Sequence, residues 1–315
     1  MTQPAAVLAA SWAWIPIVVW AALAQTARNA AQRSLIARAG TLGATLARFL
    51  YGIPFALAWV AVLHLASPAP GDLPPFRLAY FAWLALGAVA QLVATAAMLL
   101  AMKQRNFVVG VAFSKTDVLL VALFGTLLLR EVPGWLAVLA IAMATAGVVM
   151  LSLPRTHVAS AGAEGGWLAA SWGLASGAGF ALSAVGYRGA ALEWAGASPG
   201  ASPWFVSGWG VLLGQSLQTL LLGGWLAWKS PQSLRATATA WRVSIAAGAM
   251  GALASVGWFA GFALTSAVNV RAIGMVEVVF SYLVSRRLMR EHLAPTERLG
   301  LALVMAGLAA LVIQA

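Results

Sequence analysis

Apolar runs of about twenty residues return ten times along this chain, and ~20 is the length a helix needs to cross a hydrocarbon core of ~30 Å. They lie near 11 to 34, 42 to 65, 76 to 102, 107 to 129 and 133 to 153, then near 167 to 190, 203 to 228, 237 to 265, 269 to 288 and 294 to 314. Turn-rich connections separate them, including SPAPGDLPP (67 to 75), REVPG (130 to 134) and GASPGASP (196 to 203), and these cannot continue a helix. Charged residues make up 9% of the chain, against about 25% in soluble domains, so lipid must solvate most of the surface. The expected fold is all-α and integral to a membrane, with ten transmembrane helices and loops too short for a soluble catalytic domain.

The net charge of +11 does not indicate nucleic acid. Its Lys and Arg residues are scattered singly or in pairs at the ends of apolar runs, as at Arg33 and Arg38, Lys103 and Arg105, or Arg286 and Arg287, which is the distribution that membrane orientation produces. Most lie on one side of the expected topology, while Arg77, Arg130, Arg188 and Arg271 lie on the other. The positive-inside rule then places both termini outside the cytoplasm. There is no cysteine, and His64, His157 and His292 are too far apart in the sequence for a metal box. The first ten residues lack the positive region of a signal peptide, so the first run is expected to be a retained helix. No cofactor is expected, and no GxxxxGK[ST] or GxSxG segment indicates ATP drive or hydrolase chemistry.

The chain repeats itself. A shift of 160 residues lays LAASW (8 to 12) on LAASW (168 to 172), Arg28 on Arg188, Arg130-Glu131 on Arg290-Glu291, and Ala146-Gly147 on Ala306-Gly307. The offset divides the chain into two five-helix repeats, 1 to 155 and 156 to 315. Because five is odd, the second copy enters the membrane from the opposite side, and the two are expected to be inverted repeats forming one membrane domain.

Two carboxylates fall deep within spans, Asp117 in the fourth and Glu277 in the ninth, and the repeat offset superposes them. A charged carboxylate there costs ~2.5 to 3.5 kcal/mol on insertion scales, so it must be paired, protonated or facing water. The pair is expected to form a substrate or proton site. The plainer alternative gives each a permanent cation partner, with Lys115, Arg28 and Arg48 as candidates. Helical spacing adds possible cavity-lining residues: Phe113 beside Asp117, Ser281 beside Glu277, Gln91, Thr95 and Met98 in the third span, and Ser255 and Trp258 in the eighth. Gln25, Arg28 and Gln32 make a polar line in the first span. Arg28 and Arg188 are read either as gates or anion ligands or as snorkelling side chains, with snorkelling favoured. Gly173 and Gly177, Gly210 and Gly214, and Gly257 and Gly261 have the spacing of close helix contacts.

The segments FSKTDVLLVALFGTLLLREVPGWLAVLAIAMATAGVVML (113 to 151) and MVEVVFSYLVSRRLMREHLAPTERLGLALVMAGLAALV (275 to 312) each carry an apolar helix ending in Arg-Glu, a short turn, and an Ala-Gly in the last helix. In this the chain resembles the drug/metabolite transporter superfamily, specifically its EamA-like ten-helix members. The resemblance implies a secondary active carrier working by alternating access in a cell membrane, most simply a bacterial inner membrane. It leaves the cargo open and supplies no substrate ligand. The mixed apolar and weakly polar faces favour export of a small amphipathic metabolite or drug, driven by protons or by the substrate's own gradient. The alternatives are an uptake carrier and a passive facilitator or channel. Partners would then be the substrate, the bilayer and protons. Family members generally keep their termini inside, which conflicts with the charge distribution.

Overall fold

The computed structural model describes residues 12–66, 73–104, 111, 114–152 and 163–288, with parts of 298–310. Among them the chain is helical throughout, without a strand. In order, the helices are α1 (Trp14–Leu50), α2 (Ile53–Ala66), α3 (Leu78–Gln104), α4 (Asp117–Phe124), α5 (Trp135–Ser152), α6 (Ala163–Ala197), α7 (Pro203–Lys229), α8 (Pro231–Thr239), α9 (Trp241–Leu264), α10 (Ala267–Ile273) and α11 (Glu277–Leu288). Six stretches are long and apolar enough to cross a membrane. Outward faces carry bare Leu and Trp, such as Trp20 (52% exposed), Leu220 (73%) and Trp228 (75%), surfaces that water would not tolerate in such number. This is the make-up of a multi-pass membrane protein.

Helical structure departs from the expected spans in informative places. From Trp14 to Ala66 the chain is almost continuously helical over 53 residues, a length of ~80 Å at 1.5 Å per residue. Gly40, with φ 69 and ψ 173, breaks it. Only glycine reaches that backbone region cheaply, so the gap expected between 34 and 42 narrows to one residue, and α1 becomes two arms. Gln32 donates across the break to the Ala44 carbonyl at 2.8 Å. The expected eighth span, 237 to 265, is shorter than anticipated, because Pro231 and the Ala240 turn set off α8 as a separate helix. The boundary expected at 155 and 156 lies outside the described residues.

The fourth and ninth spans are interrupted at corresponding positions. A turn at Lys115-Thr116 precedes α4, which begins at Asp117, and a 3₁₀ turn, Gly274–Val276, precedes α11, which begins at Glu277. The carboxylates therefore stand at the first residues of α4 and α11, inside their spans, where the Glu277 N–H closes on the Gly274 carbonyl and the Val118 N–H on the Lys115 carbonyl. α4 ends in a π turn, Gly125–Leu129, closed by Arg130 in the left-handed conformation at φ 59.

Packing alternates between the halves of the chain. The two most extensive helix pairings are α3 with α6 and α1 with α9. Both depend on small residues. A Cβ on Gly186 would stand 2.6 Å from the Gly87 nitrogen, and one on Gly257 would stand 2.8 Å from Ala21 Cβ. Gly177, Gly210 and Gly261 are equally tight against Thr116, Phe259 and Val18, so these three serve packing as their spacing indicated. The tightest approach to backbone is at Gly248, where a Cβ would lie 2.4 Å from the Tyr51 carbonyl carbon. Backbone cannot step aside as a side-chain tip can. Gly248→Leu is expected to cost at least ~3 kcal/mol, the upper end of ordinary overpacking, and to shift purified protein into the void volume in size-exclusion chromatography. A monodisperse, wild-type elution profile would refute this account of the contact between α9 and the turn that follows α1.

Candidate functional site

The two helix breaks bring Asp117 and Glu277 into the interior, 0% and 1% exposed. Glu277 is held from two directions. Lys115, in the break before α4, donates to its Oε2. From α1, Gln25 Nε2 donates to Oε2 and Asn29 Nδ2 to Oε1, each at 2.7 Å. Gln25 and Asn29 are four residues apart, so one helix face presents both amides. The amide oxygens are used as well: Trp258 Nε1 donates to Gln25 Oε1 at 2.9 Å, and Arg28 donates to Asn29 Oδ1 through Nε at 3.1 Å and Nη2 at 2.5 Å.

Asp117 pairs with Arg271 of α10, which donates from Nη2 to Oδ2. The Arg271 guanidinium carbon also lies 5.0 Å from the Trp258 ring centroid and 5.5 Å from that of Phe180, within cation–π range. Asp117 Oδ1 and Arg271 Nε have no hydrogen-bond partner among the described residues. α6 closes over this break at Gly177, whose missing Cβ would come within 3.2 Å of the Asp117 nitrogen.

The pairings are therefore crossed. Each carboxylate takes its cation from the other half of the chain, and Lys115 serves Glu277 rather than Asp117. Arg271, read from the sequence as a loop-side charge, is 6% exposed and sits in the interior. Sequence reasoning missed it because the 3₁₀ turn at 274–276 lets the chain enter the interior before α11 begins.

A second polar layer adjoins the first. Arg48, 1% exposed, donates from Nη1 to Thr95 Oγ1 at 3.0 Å and lies 4.8 Å from the Phe49 ring centroid. Tyr187 Oη donates to Gln91 Oε1 at 3.0 Å, and Gln218 Nε2 reaches the same oxygen at 2.9 Å and the Ala88 carbonyl at 2.8 Å. Arg48 Nε and both ends of the Gln215 amide have no partner among the described residues. Asn29, Tyr187, Gln215 and Gln218 were not singled out in the sequence. Asn29 adjoins Arg28 but falls outside the spacing that linked Gln25, Arg28 and Gln32.

Arg28 does not snorkel. It is 0% exposed, near the middle of the first arm of α1, too far from either end for its side chain to reach water. The repeat partner Arg188 behaves differently, being 15% exposed, donating from Nε to Glu131 Oε1 at 2.7 Å and from Nη1 to the Phe262 carbonyl at 2.6 Å. Glu131 also accepts from the Ala267 nitrogen at 3.2 Å. One partly buried carboxylate thus joins α6 to the start of α10.

Other predicted lining residues fare unequally. Trp258 joins the cluster, and Thr95 and Gln91 the adjoining layer. Met98 packs in an apolar group with Leu35 and Phe180, an interior role rather than a site one. Ser255 and Ser281 are buried, and Ser281 Oγ has no partner among the described residues. Phe113 lies outside the described residues. A groove of about 670 Å³ opens elsewhere, between Trp20, Phe55, Trp59 and Trp204, and its lining is wholly apolar. It contains none of the predicted lining residues.

No family model matches the chain, and no curated protein does. A solved structure described only as a crystal structure of a protein is similar in fold, with a TM-score of 0.60 and 17% identity over 97% of this chain and 95% of that one. At that identity the likeness concerns architecture alone, and it extends across both halves.

Proposed function

We propose that the protein is a secondary carrier of small molecules, built as two inverted five-span repeats and working by alternating access. The observation that carries this reading is the pair of interrupted helices at one repeat position, each presenting a carboxylate to a cation from the opposite half. Interrupted helices meeting in the interior are the recurrent binding-site device of secondary transporters. The ten segments are the first arm of α1, its second arm continued by α2, then α3, Asp117–Leu129, α5, α6, α7, α9, Ala267–Arg287 and Arg298–Gly307. The reciprocal pairing of α1 with α9 and α3 with α6 accords with halves related by a two-fold axis.

Gln25, Arg28, Asn29, Lys115, Asp117 and Glu277 are all at most 4% exposed, so the described state is occluded. Opening either side must part the halves at ion pairs that join them, and a bound substrate is what compensates the separated charges. The EamA-like resemblance supports the same reading, as does the absence of an ATP-binding segment. Export across a bacterial inner membrane is the simplest setting.

The test is counterflow in liposomes. Vesicles loaded with an unlabelled substrate are expected to accumulate the labelled compound transiently, which a carrier does and an open pore cannot. Labelled compound that only equilibrates, without overshoot and without saturation, would replace this reading with a channel.

A further inference from the structure

Among the described residues, the buried charged groups are Arg28, Arg48, Lys115 and Arg271 against Asp117 and Glu277. Lys115 and Arg271 are matched to the two carboxylates. Arg28 and Arg48 form no ion pair among the described residues. Arg28 is received by an amide oxygen and Arg48 by a hydroxyl, and both acceptors are neutral. Buried cations in an apolar protein ordinarily carry a counter-charge.

The two arginines share one place. A Cβ on Gly251 of α9 would stand 3.4 Å from Arg28 Cδ and 3.4 Å from Arg48 Cβ, so a residue without a side chain faces both stems. Beside them, Arg48 Nε and the whole Gln215 amide have no partner among the described residues. Gln215, 3% exposed, lies against Gly52, one helical turn beyond Arg48. Guanidinium donors beside a free amide suit an oxyanion, which accepts two or more hydrogen bonds at once. The adjoining Tyr187 and Phe259 rings, with centroids 3.9 Å apart, supply an aromatic wall for the rest of such a molecule.

From this geometry we infer that the interior site takes a small organic anion, an aryl or alkyl carboxylate or phosphate monoester, with its charged end on Arg28 and Arg48. This rests on the carrier reading and names its substrate class. The reading from helix faces alone, an amphipathic molecule of unspecified charge, becomes an amphipathic anion.

The experiment uses the full chain in detergent and four probes of similar size: indole-3-acetate, phenyl phosphate, neutral indole-3-acetamide and cationic tryptamine. At least one anion is expected to raise the melting temperature by several degrees in a saturable way, and the neutral and cationic probes to leave it unchanged. Which anion acts separates carboxylate from phosphate. Arg48→Gln and Arg28→Gln should each weaken the anion effect roughly tenfold or more, while melting without probe close to the wild-type temperature, since neither removes the partner of an ion pair. Lys115→Gln provides the contrast and should melt lower. Stabilisation by tryptamine or the amide equal to that by the anions would overturn the inference, as would apo-state unfolding of both arginine variants. Counterflow separates the two levels: anion binding without counterflow removes the carrier reading and leaves the site, whereas counterflow of cations or amides alone removes the anion and leaves the carrier.

Discussion

Glu277→Gln is expected to destabilise the protein by ~3 to 5 kcal/mol, the usual result of removing one member of a buried ion pair. The substitution leaves Lys115, 2% exposed, without its carboxylate. It also leaves Gln25 and Asn29, both donating to that carboxylate, facing an amide with one acceptor oxygen. Against total stabilities of ~5 to 15 kcal/mol, such a loss appears as a much lower melting temperature and as aggregation on detergent extraction. Lys115→Met combined with Glu277→Gln should recover most of the deficit, since no charge is then stranded, yet remain inactive in counterflow. If Glu277→Gln alone melts like the wild type, the carboxylate is not required for the fold, and a site that is protonated in the resting state becomes the better description.

The second large effect is expected at a contact nearer the surface, the partly buried bridge of Glu131 to Arg188. The chain has no cysteine, so Glu131→Cys with Arg188→Cys yields one unambiguous pair for a short bifunctional thiol reagent. Both positions are partly exposed, at 16% and 15%, and reachable. Cross-linking them should reduce counterflow roughly tenfold or more, because parting of packed elements at their interface is the movement that alternating access requires. Reductive release of a cleavable linker should restore it. Full activity in the linked state would mean that this contact never opens. The uncross-linked double variant controls for loss of the ion pair itself.

Much of the architecture is legible in the sequence because apolar run length is a direct physical requirement of lipid. The repeat offset, read from LAASW, Arg-Glu and Ala-Gly, anticipates that Asp117 and Glu277 occupy like positions, and the helix breaks before each coincide with it. The partners were less legible. Lys115 is close to Asp117 in sequence, but two residues along a chain that turns at 115–116 point elsewhere, toward Glu277. Arg271 looks like an interfacial charge until the 3₁₀ turn folds it inward, and Arg28 looks long enough to snorkel until its position along α1 is known. With Arg188 and Arg271 engaged by partners, the side that holds them keeps Arg77 and Arg130 as loop charges.

The hydrogen bond from Gln32 to the Ala44 carbonyl has a mechanical corollary. Arg28 lies one helical turn before Gln32, and Arg48 one turn after Ala44, on the two arms that meet at Gly40. The arms are stitched together between the two guanidiniums, so α1 acts as a caliper whose jaws are set by its own backbone. The pairs of Lys115 with Glu277 and Arg271 with Asp117 have no such gauge, for their members come from separate halves of the chain. On the proposed carrier reading, an anion held by the two arginines would keep its grip at constant width while the ion pairs between the halves part and re-form.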